Sequence, residues 1–162
     1  MGKAGVILGC DGQVGRALQK VYPKAIALNR QQLDIADQAQ VENYDWSGVG
    51  AVINAAAFVN ADGSETTEGR VKAWQVNAVG PRNLVRASLR HGFTLVHYSS
   101  DYVFDGLQQN HTEEESLSPL SVYGDVKAAG DLLVSVLPQY YILRVSWVVG
   151  DGHNFPRTMK RL

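Results

Sequence analysis

The chain has 162 residues, which predicts a single domain, over residues 1–162, large enough to bury a core without disulfides or metals. Hydrophobic residues make up 45% and charged residues 19%, a balance that excludes a disordered chain. The net charge of -1 offers no basic excess for nucleic acid or an anionic membrane. One cysteine excludes an intrachain disulfide framework. Without a membrane-length apolar run or a signal peptide, the expected location is the cytoplasm.

Short apolar runs alternate with helical patterns along the whole chain. The runs predict five strands, at 6–8, 25–28, 51–53, 94–98 and 141–145. Helical spacing predicts helices at 14–22, 37–44, 71–90 with an irregularity at Gly80-Pro81, and 122–137, while 101–119 is expected to be a loop. Because the strands are continuously apolar, both faces of the sheet should be covered. The alternation predicts an α/β protein with a doubly wound parallel sheet, which binds ligands beyond the carboxyl ends of its strands.

A glycine-rich loop joins the first strand to the first helix. It has the form GxxGxxG, with its glycines at Gly9, Gly12 and Gly15, and its other members are Cys10, Asp11, Gln13 and Val14. Glycines there permit a tight turn and let backbone approach a pyrophosphate at the positive end of a helix. The position after the first strand therefore predicts a dinucleotide site, although an ordinary tight turn has the same composition. Cys10 is expected to be a small packing residue.

The end of the second strand bears on which dinucleotide is bound. An acidic residue is expected there when the ribose 2′-hydroxyl is recognised, as in NAD sites, but this chain has Asn29 followed by Arg30. Arg30 could pair with a 2′-phosphate, which favours NADP(H) or use of both cofactors, and the alternative is a solvated turn. Asp34 and Ile35 follow at a spacing suited to holding adenine.

Tyr123 and Lys127 are four residues apart on a predicted helix and therefore share a face. A nearby ammonium is expected to lower the pKa of the tyrosine, which suits proton transfer to a carbonyl that receives a hydride. Ser100 ends the fourth strand at the same edge of the sheet and offers a hydroxyl. This Ser-Tyr-Lys set beside a dinucleotide site predicts hydride transfer to a carbonyl, the alternative being a surface pair.

The remaining polar and aromatic residues carry weaker signals. His91, His97, His111 and His153 show no metal-binding spacing, so we expect hydrogen-bonded structural histidines and no metal. Trp147, after the fifth strand, belongs either to the core or to the wall of a ligand pocket.

Taken in order, these segments resemble the dTDP-4-dehydrorhamnose reductase (RmlD-like) family of extended short-chain dehydrogenases/reductases, which have an NAD(P)-binding Rossmann fold. The resemblance lies in the glycine loop GCDGQVG and NAAA at 54–57, in YSSDYVFDG at 98–106 and PLSVYGDVKAAG at 119–130, and in RVSW at 144–147. Asn154-Phe155 and Thr158-Met159 extend it to the chain end.

The resemblance implies a role for each matching residue. Tyr123 would donate the proton, Lys127 would hold the nicotinamide ribose and tune Tyr123, and Ser100 would bind the carbonyl. The other implied cofactor contacts are Gly12, Gln13 and Val14 at the pyrophosphate, Asn29 and Arg30 at the adenosine ribose, Asp34 and Ile35 at adenine, and Ala55, Ala56, Ala57 and Tyr98 along the cofactor. Ser100, Asp101 and Trp147 would contact the nucleotide sugar. The implied reaction reduces the C4 ketone of dTDP-4-dehydro-L-rhamnose in dTDP-L-rhamnose biosynthesis, and a homodimer is compatible with it.

Three features differ from the family pattern. Ser100 stands where a threonine is usual, which keeps the hydroxyl, and Asn29 replaces the usual acid, which weakens the case for NADH. Family members also continue well beyond the point matching Leu162, so we expect the cofactor-binding portion of a larger reductase, lacking most of the substrate-binding part. The alternatives are a nucleotide-sugar epimerase or dehydratase of the same superfamily and a non-catalytic dinucleotide-binding regulatory subunit.

Overall fold

A computed structural model describes residues 3–151 and 159–160. Five strands form one parallel sheet in the order β2-β1-β3-β4-β5. The strands are β1 (Ala4–Leu8), β2 (Ile26–Leu28), β3 (Val49–Asn54), β4 (Thr94–Ser100) and β5 (Tyr140–Val145). The predicted doubly wound parallel sheet is confirmed, with longer β1, β3 and β4 than expected. His153, Asn154, Phe155 and Thr158 lie outside the described residues.

The helices lie between the strands as expected, with some differences in bounds and in short elements. They are α1 (Gln13–Val21), α2 (Gln38–Asn43), α3 (Ala61–Ser64), α4 (Thr67–Trp74), α5 (Gly80–His91) and α6 (Val122–Val134). The short α3 was not predicted, and the expected loop after β4 opens with a 3-10 turn (Asp101–Val103). The helix expected over 71–90 begins earlier, at α4, and a π-helical segment (Gln75–Val79) joins α4 to α5.

The π-helical segment has a local cause. Pro81 lies in the first turn of α5 and has no N–H to donate to the carbonyl of Asn77, four residues earlier. A missing donor lets the hydrogen-bond register of a helix shift, and such π segments often adjoin functional sites. The irregularity predicted at Gly80-Pro81 is therefore real, but it lies just before these residues.

The core occupies the face of the sheet covered by α2, α5 and α6. Val6 and Leu8 of β1 join it, whereas Ile7 between them points to the opposite face, which α1 covers. Trp46 is 2% exposed, lies against Phe93 with ring centroids 5.0 Å apart, and donates from Nε1 to the Val41 carbonyl at 2.9 Å. This packing fixes the sheet beneath the loops that follow its strands.

Because all five strands are parallel, their carboxyl ends meet at one edge of the sheet. The residues that follow the strands at this edge are Gly9, Asn29, Ala55, Asp101 and Ser146. Nearly every predicted site residue lies on one of these five connections. Within residues 3–151 and 159–160, no helix is long and apolar enough to span a membrane.

Candidate active site

The glycine loop has the geometry that its sequence predicts. Gly9 has a φ of +73°, a left-handed conformation that glycine adopts without strain, and an added Cβ would stand 2.6 Å from the Ala56 nitrogen. Gly12 is the N-cap of α1 and no side chain caps that helix end. The backbone amides of the first turn of α1 therefore face the space above the loop, where the helix dipole favours an anion.

Gly15 allows α1 to pack tightly against the loop. A Cβ at Gly15 would collide with the Gly9 carbonyl oxygen and stand 2.6 Å from the Cys10 Cα. Cys10 is 8% exposed, in agreement with a packing role.

We expect Gly15→Ala to lower the free energy of unfolding by about 1–3 kcal/mol, because the helix must move off the loop. Gly5→Ala is the matched control, since its Cβ would meet only the Ala25 Cβ at 3.9 Å, an ordinary contact. Urea unfolding of both variants measures the difference. Equal stability of the two variants would contradict the described packing.

The turn after β2 is built around Asn29. Its Oδ1 accepts hydrogen bonds from the backbone amides of Gln31 and Gln32, both at 3.1 Å. Arg30 donates from Nε to Asp34 at 2.9 Å, and its side chain is 79% exposed. Asn29, Arg30, Asp34 and Ile35 all border one cavity, as the sequence predicts for the adenosine end of the site.

The loop after β3 is held by a residue that sequence reasoning missed. Asn77, 1% exposed in the π-helical segment, accepts from the Phe58 amide at 2.9 Å and donates to the Phe58 carbonyl at 3.0 Å. This pair of hydrogen bonds fixes Ala55, Ala56 and Ala57 along the groove. A polar residue at an apolar helix position was the available signal, but its partner is 19 residues away.

Two adjoining cavities form one groove over the carboxyl edge of the sheet. The first, of about 280 Å³, is lined by Gly9, Asp11, Gly12, Asn29, Arg30, Leu33, Asp34, Ile35, Ala55, Ala56, Ala57, Phe58 and Val76. The second, of about 470 Å³, is lined by Gly12, Gln13, Val14, Ala55, Ala57, Val59, Ala61, Ser100, Asp101, Tyr102, Tyr123, Ser146, Trp147 and Val148. The shared residues Gly12, Ala55 and Ala57 show that the cavities meet beside the glycine loop. The groove thus joins the predicted adenosine end to Ser100 and Tyr123.

Tyr123 lies in the second cavity with its phenol close to Ser100. Burial raises the pKa of Tyr123, Asp101 and Tyr102 raise it further, and a hydrogen bond with Ser100 lowers it. The expectation of a lowered tyrosine pKa is therefore wrong, since burial and a neighbouring carboxylate dominate. The phenol keeps its proton at neutral pH, which is the form that can donate one to a substrate.

Lys127 is 2% exposed and lies behind the groove, so it is not among the residues that line either cavity. Its ammonium donates to the Tyr98 carbonyl at 2.6 Å. Burial lowers the pKa of Lys127 to about 8, while the charge of Asp131 raises it. A backbone carbonyl of β4 therefore holds the Lys127 ammonium, and the pKa of this group lies close to neutral pH.

Of the next two predicted site residues, Tyr98 lies apart from the groove and Trp147 lies on it. The Tyr98 side chain borders a separate cavity between α1 and the end of β5, together with Gln13 and Val14. Trp147 is 61% exposed and lines the second cavity, so it is not a core residue, and its contact with a ligand stays a prediction. Ser100 donates to Asp101 at 3.1 Å and accepts from the Tyr102 amide at 3.2 Å.

The comparisons with known proteins agree with this geometry. A profile of the family described as RmlD substrate binding domain matches residues 5–162. The dTDP-4-dehydrorhamnose reductase of Aggregatibacter actinomycetemcomitans is 38% identical over 166 residues, covering 97% of this chain and 56% of its own length.

Two crystal structures of dTDP-4-dehydrorhamnose reductases superpose closely on the chain. The protein from Clostridium acetobutylicum has a TM-score of 0.90 at 38% identity, covering 98% of this chain and 58% of its own. The protein from Bacillus anthracis, in complex with NADP, has a TM-score of 0.90 at 33% identity, covering 99% and 59%. The chain therefore spans somewhat more than half the length of the relatives that it matches. It belongs to the RmlD substrate binding domain family.

Proposed function

We propose that this chain is the cofactor-binding portion of a cytoplasmic reductase of dTDP-4-dehydro-L-rhamnose, with NADPH as the favoured hydride donor and NADH as the alternative. Residues 1–162 form its NAD(P)-binding domain. The observation that carries the proposal is the continuous groove from the glycine loop to Ser100 and a protonated Tyr123. The dTDP-4-dehydrorhamnose reductases that it resembles, one of them crystallised with NADP, support the choice of substrate and cofactor.

The residues of the first cavity fit a dinucleotide. The glycine loop brings backbone and an uncapped helix end to the pyrophosphate position, and Gly9 lets the loop lie directly against the Ala56 backbone, where a side chain has no room. Asn29, Arg30, Asp34 and Ile35 would hold the adenosine, and Ala55–Ala57 would lie along the cofactor. When bound, the nicotinamide supplies a hydride to the carbonyl carbon of the sugar.

The residues of the second cavity fit the binding of the nucleotide sugar and the transfer of a proton to its C4 oxygen. Tyr123 would donate its phenolic proton to the C4 oxygen of the sugar as negative charge develops there. Ser100 would hydrogen-bond the same oxygen, and Asp101 and Trp147 would contact the nucleotide sugar. Lys127, one turn along α6 from Tyr123 and with its ammonium donating to the Tyr98 carbonyl, would stabilise the phenolate left after the transfer.

The experiment that tests the proposal supplies the full-length protein with NADPH and dTDP-4-dehydro-L-rhamnose and analyses the products. Formation of dTDP-L-rhamnose with stoichiometric loss of NADPH is the expected result. Epimerised or dehydrated sugar without net loss of NADPH would identify a different superfamily member. Cofactor binding without turnover, together with a stoichiometric partner protein, would identify a regulatory subunit.

Arg30→Ala should separate the two cofactors. The exposed Arg30 guanidinium borders the adenosine end and would pair with a 2′-phosphate, an interaction worth about tenfold or more in affinity. We expect weaker NADPH binding and unchanged NADH binding, measured by fluorescence titration. Arg90→Ala, an exposed arginine at the end of α5, is the control. An equal loss for both cofactors would show that Arg30 does not read the 2′-phosphate.

A further inference from the structure

Three ionisable side chains follow one another along a single face of α6. Tyr123, Lys127 and Asp131 are spaced four residues apart, which stacks them on successive turns. Tyr123 lines the groove, whereas Lys127 and Asp131 are 2% and 1% exposed. A carboxylate buried this deeply requires partners, because burial without compensation is strongly unfavourable.

Asp131 is fixed from two neighbouring strands. Its Oδ2 accepts from Arg144 Nε of β5 at 3.0 Å, and its Oδ1 lies 3.9 Å from His97 Nε2 of β4. Arg144 is itself held over the Phe104 ring, with its guanidinium carbon 5.3 Å from the ring centroid. Neither Asp131 Oδ1 nor His97 Nε2 has a hydrogen-bond partner within the described part of the chain. The Ser99 hydroxyl of β4 also faces the Asp131 carboxylate and favours its charged form.

The titratable groups around Asp131 come from three elements. Lys127 approaches from α6 itself, Arg144 from β5 and His97 from β4, while the π-helical segment contributes the uncharged carbonyl of Asn77 beside Gly130. His97 supplies no positive charge at neutral pH. Burial and then the Lys127 ammonium lower its pKa well below the usual value, and its Nδ1 is hydrogen-bonded to Asn54 Nδ2 at 3.1 Å.

Lys127 needs a compensating negative charge in this setting. Its hydrogen bond to the Tyr98 carbonyl supplies a dipole only, and burial favours the neutral amine. Asp131 supplies the negative charge that opposes this tendency. Conversely, the Ser99 hydroxyl, the hydrogen bond and charge of Arg144, and the charge of Lys127 oppose the tendency of burial to raise the pKa of Asp131.

We propose that Asp131 is a positioning residue that, anchored by Arg144, keeps Lys127 in its charged form behind Tyr123. Asp131 does not touch the groove and acts only through Lys127. The consequence for catalysis rests on the proposed function, because a neutral Lys127 would no longer stabilise the Tyr123 phenolate. The electrostatic coupling itself does not depend on which substrate or cofactor is bound.

The test is a pH titration of the chain labelled with ¹³C at the lysine Cε and followed by NMR. The Lys127 resonance is identified by its loss in Lys127→Arg. In Asp131→Asn we expect the pKa of Lys127 to fall by about 1 unit or more from its value of about 8. Asp125→Asn, an exposed carboxylate on the same helix, controls for helix charge and should leave Lys127 unchanged. An unchanged Lys127 pKa in Asp131→Asn would overturn the proposal.

Two further variants separate charge from packing. Asp131→Glu restores a carboxylate, so the pKa of Lys127 should return toward about 8; failure to return would show that packing caused the fall. If Asp131→Asn does not fold because Arg144 is left unpaired, the double variant Asp131→Asn with Arg144→Gln keeps two hydrogen-bonding side chains without either charge. A fall in the Lys127 pKa there supports the proposal, and no fall overturns it.

The titration uses neither cofactor nor substrate, so its outcome is separate from that of the proposed reductase. If the full-length protein does reduce the nucleotide sugar, Asp131→Asn should also move the alkaline limb of its pH–rate profile to lower pH. A lowered Lys127 pKa in a protein with no reductase activity would uphold the coupling and reject the proposed function.

Discussion

Replacing Tyr123 by phenylalanine in the full-length protein should reduce kcat for the nucleotide sugar by roughly 10²–10⁴-fold, the usual range for loss of a positioned proton donor. The substitution removes only the phenolic oxygen and keeps the ring that packs edge-on to Tyr102, with centroids 5.6 Å apart. Folding and the affinity for NADPH should therefore be preserved. The split between a large loss in kcat and unchanged cofactor binding is the expected signature of lost proton transfer.

The control for this variant is Tyr22→Phe, which removes a phenolic oxygen from a half-exposed tyrosine just after α1. Steady-state kinetics of both variants and titration with NADPH give the comparison. Reduction by Tyr123→Phe at the rate of the control would mean that another group supplies the proton.

The second large effect is on stability. The pKa of Lys127 falls from 10.5 to about 8 on folding, so between these values the unfolded chain binds more protons than the folded chain. Stability must then rise with pH across this window. This fall in the pKa of Lys127 corresponds to about 3 kcal/mol of unfolding free energy. Relative to Lys127→Met, the wild-type chain should gain about that much unfolding free energy between pH 8 and 10.5.

Urea unfolding of both proteins at the two ends of this window measures the effect. The difference between the two proteins cancels the contribution of every titrating group that they share. Lys72→Met, at an exposed position of α4, is the matched control and should show no pH-dependent difference. If the difference in unfolding free energy between wild type and Lys127→Met did not change with pH, this would mean that Lys127 is not desolvated on folding.

The features that the sequence predicted well depend on local patterns. The glycine loop follows from Gly9, Gly12 and Gly15 at the end of an apolar run, and the placement of Tyr123 at the same edge follows from parallel strand order. The end of the groove proposed for the pyrophosphate is formed by backbone atoms. The glycines that make room for this backbone can be recognised in the sequence. Strand and helix order could be predicted for the same reason, since each element has its own apolar periodicity.

The features that sequence reasoning missed depend on contacts between distant residues. Asn77 reads as an ordinary helix residue until its two hydrogen bonds to Phe58 are seen. The predicted direction of the Tyr123 pKa was wrong because burial, Asp101 and Tyr102 raise it. Likewise, nothing in the spacing of Asp131 and Arg144 shows that they meet in the interior. Burial and long-range pairing set the electrostatics of this site, and neither is visible in local spacing.

In the proposed function, this groove brings a nicotinamide and a sugar ketone together for direct reduction. The most direct measurement supplies the full-length protein with NADPH carrying deuterium at the transferable position and dTDP-4-dehydro-L-rhamnose, and locates the label by NMR and mass spectrometry. The expected result is dTDP-L-rhamnose with one deuterium at C4 of the sugar, formed by wild type and strongly suppressed by Tyr123→Phe. Product without deuterium at C4, or saturating cofactor binding with no reduced sugar, would contradict it.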